Sequence, residues 1–309
     1  MKHLKTTTAV LFFSLLITPA MAQDFVFRVL ANNGDNQLKV PGQEDSWRPL
    51  KTGEKLKADD EIKVVGEAYL GLIHHSGKTL EIKKAGNYQA EELSSQVKQG
   101  ANSVMEKYAD FLISKISEEE EDVVKDYKKY QNATGAVKRA LSKATALKVL
   151  MPQTSTVMGP QVTLRWIEAG LAKPPVYLVT LKNEFSQTIK TIKTREPFIT
   201  LDLREDVFKK QELVIFDVQV VGKKRYKSDE YGIKRMAGDN SDQIKEELAT
   251  FAGKNGGDQA MSHLLKAMFF EDKNLPLDAI TAYERAIALE PEVAEFKLLY
   301  SRFITSQKF

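Results

Sequence analysis

Asp278-Ala279-Ile280-Thr281-Ala282-Tyr283-Glu284-Arg285-Ala286-Ile287-Ala288-Leu289-Glu290-Pro291 reads as a helix, whereas the chain upstream of it, from Pro152 to about Met236, reads as strand. Ala279, Tyr283 and Ala286 recur at i, i+4 and i+7, which gathers small and aromatic side chains on one face that meets a partner helix. Pro291 ends this helix and begins the next, over Val293 to Ile304. Before it, Ala267 and Phe270 mark a preceding helix, with Asn274 in the turn between the two. Further upstream, Gly253-Lys254-Asn255-Gly256-Gly257-Asp258 predicts a helix-to-helix connection with Asp258 as the cap.

Working outward, five runs alternate apolar and polar residues with the period of a strand: Val162-Thr163-Leu164-Arg165-Trp166, Val176 to Leu181, Thr188 to Lys193, Phe198 to Leu203 and Leu213 to Val221. Turn residues at Gly159-Pro160, Lys173-Pro174-Pro175 and Gly222-Lys223 separate some of them at sandwich-like spacing. Leu93, Val97, Val104, Tyr108, Phe111, Leu112 and Ile116 form an earlier helical stripe. A charged run, Glu118 to Lys129, and the break Asn132-Ala133-Thr134-Gly135 follow it. From Asp24 to about Leu93 the pattern is again β. Short alternating runs at Phe25 to Leu30, Glu61 to Val65, Tyr69 to Ile73 and Thr79 to Ile82 are divided by Gly, Asn and Asp turns, as in a small sheet or barrel of hairpins.

Three parts of the chain carry resemblances. Ser46-Trp47-Arg48-Pro49-Leu50-Lys51-Thr52-Gly53, Leu56, Asp60-Glu61-Ile62, Tyr69-Leu70-Gly71-Leu72-Ile73 and Ser76-Gly77-Lys78-Thr79-Leu80-Glu81-Ile82 together resemble the FecR-type periplasmic β domain. Its pattern is a Trp and Leu before a Gly, an aspartate before a strand, then a strand, a turn Gly and a strand. The best-known members of that family relay envelope signals, which implies a regulatory module working here through a separate membrane partner. The strand ending in Trp166 resembles that of a fibronectin-type or immunoglobulin-like sandwich, a likeness of architecture that carries no activity. The run from Asp278 to Pro291, with Ala267 and Phe270, resembles one tetratricopeptide repeat. No second copy stands upstream, and three or more repeats are usually needed for independent stability. The unit is therefore expected to pack against Asp239 to Gly253, the sandwich, or another protein.

The first residues read as a secretory signal: Lys2, His3 and Lys5, then apolar Ala9 to Ile17, then Ala20-Met21-Ala22 before Gln23. This predicts an exported, periplasmic protein, free or associated with the outer membrane. The apolar run is shorter than the roughly 20 residues a bilayer span needs, and no other segment approaches that length. The 309 residues carry a formal charge of only +3 with the signs interspersed, unlike the concentrated basic surface of a nucleic-acid binder. The absence of cysteine excludes disulfides, thiolate metal sites and a cysteine nucleophile.

Chemistry-bearing motifs are few. His74-His75 is the most tempting pair, but adjacent strand residues point to opposite faces and cannot easily grip one ion. His263 stands alone in a helix. Gly71 with Gly77-Lys78-Thr79 has one residue too many for a phosphate loop and lies in a hairpin. The acidic run Glu118 to Asp122 lacks the spacing of a calcium loop and reads as a solvated helix face. Neither a nucleophile elbow nor a His-Glu-x-x-His helix occurs.

These readings predict an α+β multi-domain chain: signal 1–22, FecR-like β domain 23–93, helical and charged linker 94–150, β-sandwich 151–237 and tetratricopeptide-like helical unit 238–309. The expected function is a non-catalytic cell-envelope scaffold or adaptor, with no catalytic residues, cofactor or metal. Its partners would be envelope proteins, with a glycan as an alternative through Trp47 or tyrosines. No nucleic acid and no membrane span are expected. The expected contact surface is the C-terminal unit, with His263, Lys266, Phe270 and Tyr283 as its partner-binding candidates.

Overall fold

The computed structural model describes residues 25–42, 46–97, 103–117, 147–249, 258–307 and 309. The leader 1–22, the charged run 118–129 with its acidic cluster, the break 132–135 and the glycine connection 253–257 lie outside the described residues. The architecture is α+β, with several antiparallel sheets and seven helices among the described residues.

The first β region is a two-layer sandwich. Strands β1 (Phe27–Asn33), β4 (Lys55–Leu56), β6 (Tyr69–His74) and β7 (Thr79–Ile82) form one sheet in the order β4-β1-β6-β7. Strands β2 (Gln37–Lys39), β3 (Arg48–Pro49), β5 (Glu61–Val64) and β8 (Gly86–Gln89) form the other, ordered β3-β2-β5-β8. Period-two alternation explains the core between them: Phe27, Val29, Leu38, Leu56, Ile62, Leu70 and Leu72 all point inward. A register shift between Val29 and Ala31 then turns both Leu30 and Ala31 to the outer face. That face is not wet. Every residue of β6 is buried, because Tyr69 and Ile73 belong to a second core on the far side of the sheet.

The predicted helical stripe is divided between these two cores. Helix α1 (Ala90–Gln96) gives Leu93 to the sandwich. Helix α2 (Ser103–Ser117) gives Tyr108, Leu112 and Ile116 to the second core, while Phe111 stays exposed under Lys115.

The second β region has a five-stranded sheet, β12-β11-β14-β15-β9, over a two-stranded ribbon, β10-β13. The strands are β9 (Thr154–Val157), β10 (Gln161–Arg165), β11 (Tyr177–Lys182), β12 (Thr188–Thr194), β13 (Phe198–Asp202), β14 (Leu213–Val220) and β15 (Tyr231–Arg235). A short helix, α3 (Asp206–Lys209), precedes β14. All pairs are antiparallel except β15 with β9. Trp166 is buried edge-on against Tyr177, with ring centroids 5.2 Å apart.

Four helices complete the chain: α4 (Asp239–Ala249), α5 (Ala260–Asp272), α6 (Pro276–Leu289) and α7 (Ala294–Ser306). Helices α5 and α6 pack on each other, α5 also meets α2 and β7, and α6 also meets β9 and β10. The helical unit therefore stands between the two β regions and covers an apolar face of the first. At Gly71 an added Cβ would lie 2.8 Å from Met261 Sδ, so this residue is bare because a helix rests on it. The helix is held at its start from the same sheet. Met261 N–H donates to Glu81 Oε1 at 2.8 Å, placing a carboxylate at the positive end of α5. Asp258 is not the cap: Gln259 holds the N-cap position without a side-chain bond, and Asp258 serves another role described below. Among the described residues no helix is long and apolar enough to cross a membrane.

Candidate functional site

A groove of about 950 Å³ opens where α4, α5 and α6 meet the β10–β13 ribbon. Alternation along β10 builds its floor. Val162 and Leu164 point into the sandwich core, so Gln161 and Thr163 face the groove, beside Phe198 and Thr200 of β13. Thr163 stands opposite Thr200, with the two Oγ1 atoms 3.0 Å apart.

Helix α6 forms one wall. Asp278, Thr281, Ala282, Arg285 and Ala288 line the groove at steps of three and four residues, which is one helical face. The same face fastens the helix to the sandwich. Asp278 accepts the Met158 and Gly159 N–H groups at 3.0 and 2.7 Å. Burial pushes its carboxyl up to about 6, against the opposite pull of those two N–H bonds. Gly159 has no room for a Cβ, which would lie 2.9 Å from Asp278 Oδ1. Thr281 Oγ1 accepts the Thr163 N–H at 2.8 Å and donates to Leu277 O. Glu284 holds Arg165 through both guanidinium branches, with Nη2 to Oε2 at 2.7 Å. Arg165 also covers the Phe198 ring at 4.7 Å.

Helices α5 and α4 supply the remaining lining: His263, Lys266 and Phe270 from α5, Lys245, Leu248 and Ala249 from α4. Asp258 receives His263 Nε2 at 2.6 Å and the Arg285 guanidinium, so it joins the start of α5 to the middle of α6. Burial and the charge of Lys266 push the His263 pKa down to about 4, against the smaller opposite pull of Glu81. Lys266 is half-buried, and burial alone lowers its pKa. No ion pair reaches it among the described residues.

Of the four sequence candidates, the fold brings His263, Lys266 and Phe270 to this groove and sends Tyr283 elsewhere. Tyr283 lies on the opposite face of α6. It is fully buried, stacked on Tyr300 with centroids 5.4 Å apart, and its hydroxyl donates to Glu271. The helical period that grouped Tyr283 with Ala279 and Ala286 also separates it from Ala282 and Arg285. Sequence reasoning missed the floor residues Gln161, Thr163, Phe198 and Thr200. The signal available was a run of polar residues on the outward face of β10.

The histidine pair departs from the strand argument. His74 ends β6 and His75 opens the turn, so the two rings lie together, with centroids 4.0 Å apart. His74 is buried; its Nδ1 accepts the Ser76 N–H at 3.1 Å, which leaves Nε2 to donate to Ser94 Oγ at 2.9 Å. Burial, then His75 and Lys78, push its pKa down to about 4. No group of three or more His, Asp or Glu residues that could hold a metal occurs among the described residues. Trp47, the expected stacking platform, is half-exposed with the Lys63 ammonium 5.5 Å from its ring.

Neither a protein-family model nor a curated protein matches the chain.

Proposed function

We propose that this chain is a non-catalytic scaffold or adaptor of the cell envelope, and that the groove between the helical unit and the β10–β13 ribbon receives a segment of a partner protein. The observation that carries this reading is the groove itself. It is about 950 Å³ in volume, within the range of sites that bury a ligand, and it offers apolar Phe198, Leu248 and Phe270 among polar side chains most of which are already paired. Such a surface binds by shape and a few polar contacts. The basic, apolar and small-residue leader supports export, and the interspersed charges favour a protein partner over nucleic acid.

A test by deleting the C-terminal unit would also strip the outer face of the first sandwich, so point variants are better. Thr200 and Ala288 are exposed residues on the floor and rim of the groove. A crosslinked pull-down from intact envelopes should recover a discrete protein with the native chain and lose it with Thr200→Trp or Ala288→Arg. Both variants should keep the native melting temperature. Equal recovery by native and variant chains would remove the partner from this groove.

A further inference from the structure

Nearly every charge in the groove is already spoken for. Asp258 takes both His263 and Arg285. Glu284 takes Arg165, Lys245 pairs with Asp242 at 2.8 Å, and Asp278 is filled by two backbone N–H groups. The uncharged polar groups are similarly committed: Thr281 is bonded on both sides, and Thr163 meets Thr200. Lys266 is the exception among the described residues. Lys266 is half-buried in a groove whose lining also includes Phe270, Leu248 and Ala282, and the intervening segment 250–257 contains no Asp or Glu.

A partly desolvated cation without a counter-ion is costly, and an anion delivered to it recovers that cost. We propose that the groove recognises its partner through a carboxylate, and that Lys266 Nζ is the group that receives it, with an apolar side chain of the same segment lying against Phe270 and Leu248. This inference rests on the groove being the partner site. The class of anion follows from the donor count. A phosphate presents three strongly accepting oxygens and is usually met by several donors or an arginine fork. Here Arg285 is engaged by Asp258, and one lysine ammonium remains, a compact point charge that suits a single carboxylate. Lys266 is accordingly a specificity-determining residue, and the carboxylate belongs to an Asp or Glu side chain or to a chain terminus.

The experiment is a selection of random dodecapeptides, displayed with free C-termini, on the immobilised native chain and in parallel on Lys266→Met and Thr200→Trp. The native chain should enrich peptides that combine an acidic residue or acidic terminus with a neighbouring apolar residue. Synthesised individually, the best of these should bind Lys266→Met at least about tenfold more weakly, with Lys266→Arg restoring part of the loss. A Glu→Gln or Asp→Asn change in the peptide should weaken native binding alike, and C-terminal amidation identifies whether the terminus is the anion. Lys266→Met should melt at or above the native temperature, since an apolar stem replaces an unpaired cation, so its loss of binding would not reflect unfolding. Peptides that bind the native chain, are lost on Thr200→Trp, but show no acidic preference and bind Lys266→Met equally would overturn the carboxylate assignment while leaving the groove as the site. Peptides that bind Thr200→Trp as well as the native chain would overturn the groove itself.

Discussion

The two β regions meet the same helical unit in opposite ways. The first offers an apolar face: Leu30, Ala31, Tyr69 and Ile73 merge with Met261, Leu265 and Phe296 into one core, and Gly71 is hollowed to let Met261 in. The second offers hydrogen bonds: Asp278 to the Met158 and Gly159 amides, Thr281 to the Thr163 amide, Glu284 to Arg165. Apolar burial is non-directional and closes all the space it can. Directional polar bonds fix register at a few points and leave the surface between them open. The groove lies along the hydrogen-bonded seam for that reason.

The contrast can be broken hardest at the apolar seam. Phe296 is fully buried and meets Tyr69 edge-on, with centroids 5.8 Å apart. Phe296→Ala should cost about 3–5 kcal/mol, the range for removing a buried aromatic. If the first sandwich and the helices share one core, urea unfolding should remain a single transition shifted as a whole. Two separated transitions would show that the sandwich stands without its cover.

Acid attacks the same side by another route. His74 holds a neutral, hydrogen-bonded ring in the first sandwich, with its folded pKa near 4 against an ordinary 6.5. A base whose folded pKa is depressed contributes stability that is complete above 6.5 and is withdrawn as pH falls through 6.5 toward 4. At 1.36 kcal/mol per pKa unit this comes to roughly 3 kcal/mol. Urea midpoints measured across that window should fall for the native chain and fall by visibly less for His74→Gln, which keeps a donor and an acceptor but cannot titrate.

The polar seam should yield the smallest change. Asp278→Asn keeps the shape but turns one acceptor into a donor that faces a backbone N–H, a mismatch of about 1–2 kcal/mol. The loss should be confined to the docking of α6 on the second sandwich. Faster hydrogen exchange at the Met158 and Gly159 amides, with the amides of β6 unchanged, would sharpen the comparison. Equal loosening of both would contradict it.

Much of this fold was legible in the residues themselves. Strand positions from Val162 to Val221 and the helix after Asp278 follow from apolar spacing, because alternation and a three-to-four-residue recurrence are local consequences of backbone geometry. The need of the helical unit for a cover was also legible, since a few amphipathic helices cannot bury all their apolar faces among themselves. What covers it was not. Gly71 looked like a fragment of a phosphate loop, and only the descent of α5 onto β6 explains its missing side chain. Asp258 had the composition of a cap, yet the cap came from Glu81, a residue 180 positions away from Met261.

The groove shows the same division. His263, Lys266 and Phe270 could be named from helical spacing alone, while Gln161, Thr163, Phe198 and Thr200 could not be joined to them. The chain's own sequence determined which segments coil, which extend and which faces are apolar, because each depends on neighbours within a few residues. Tertiary structure alone decided which faces meet, that Tyr283 turns inward while Ala282 turns to the groove, and that no ion pair reaches Lys266 among the described residues. Those outcomes depend on groups far apart in sequence competing for the same space and the same hydrogen bonds, and local pattern carries no record of that competition.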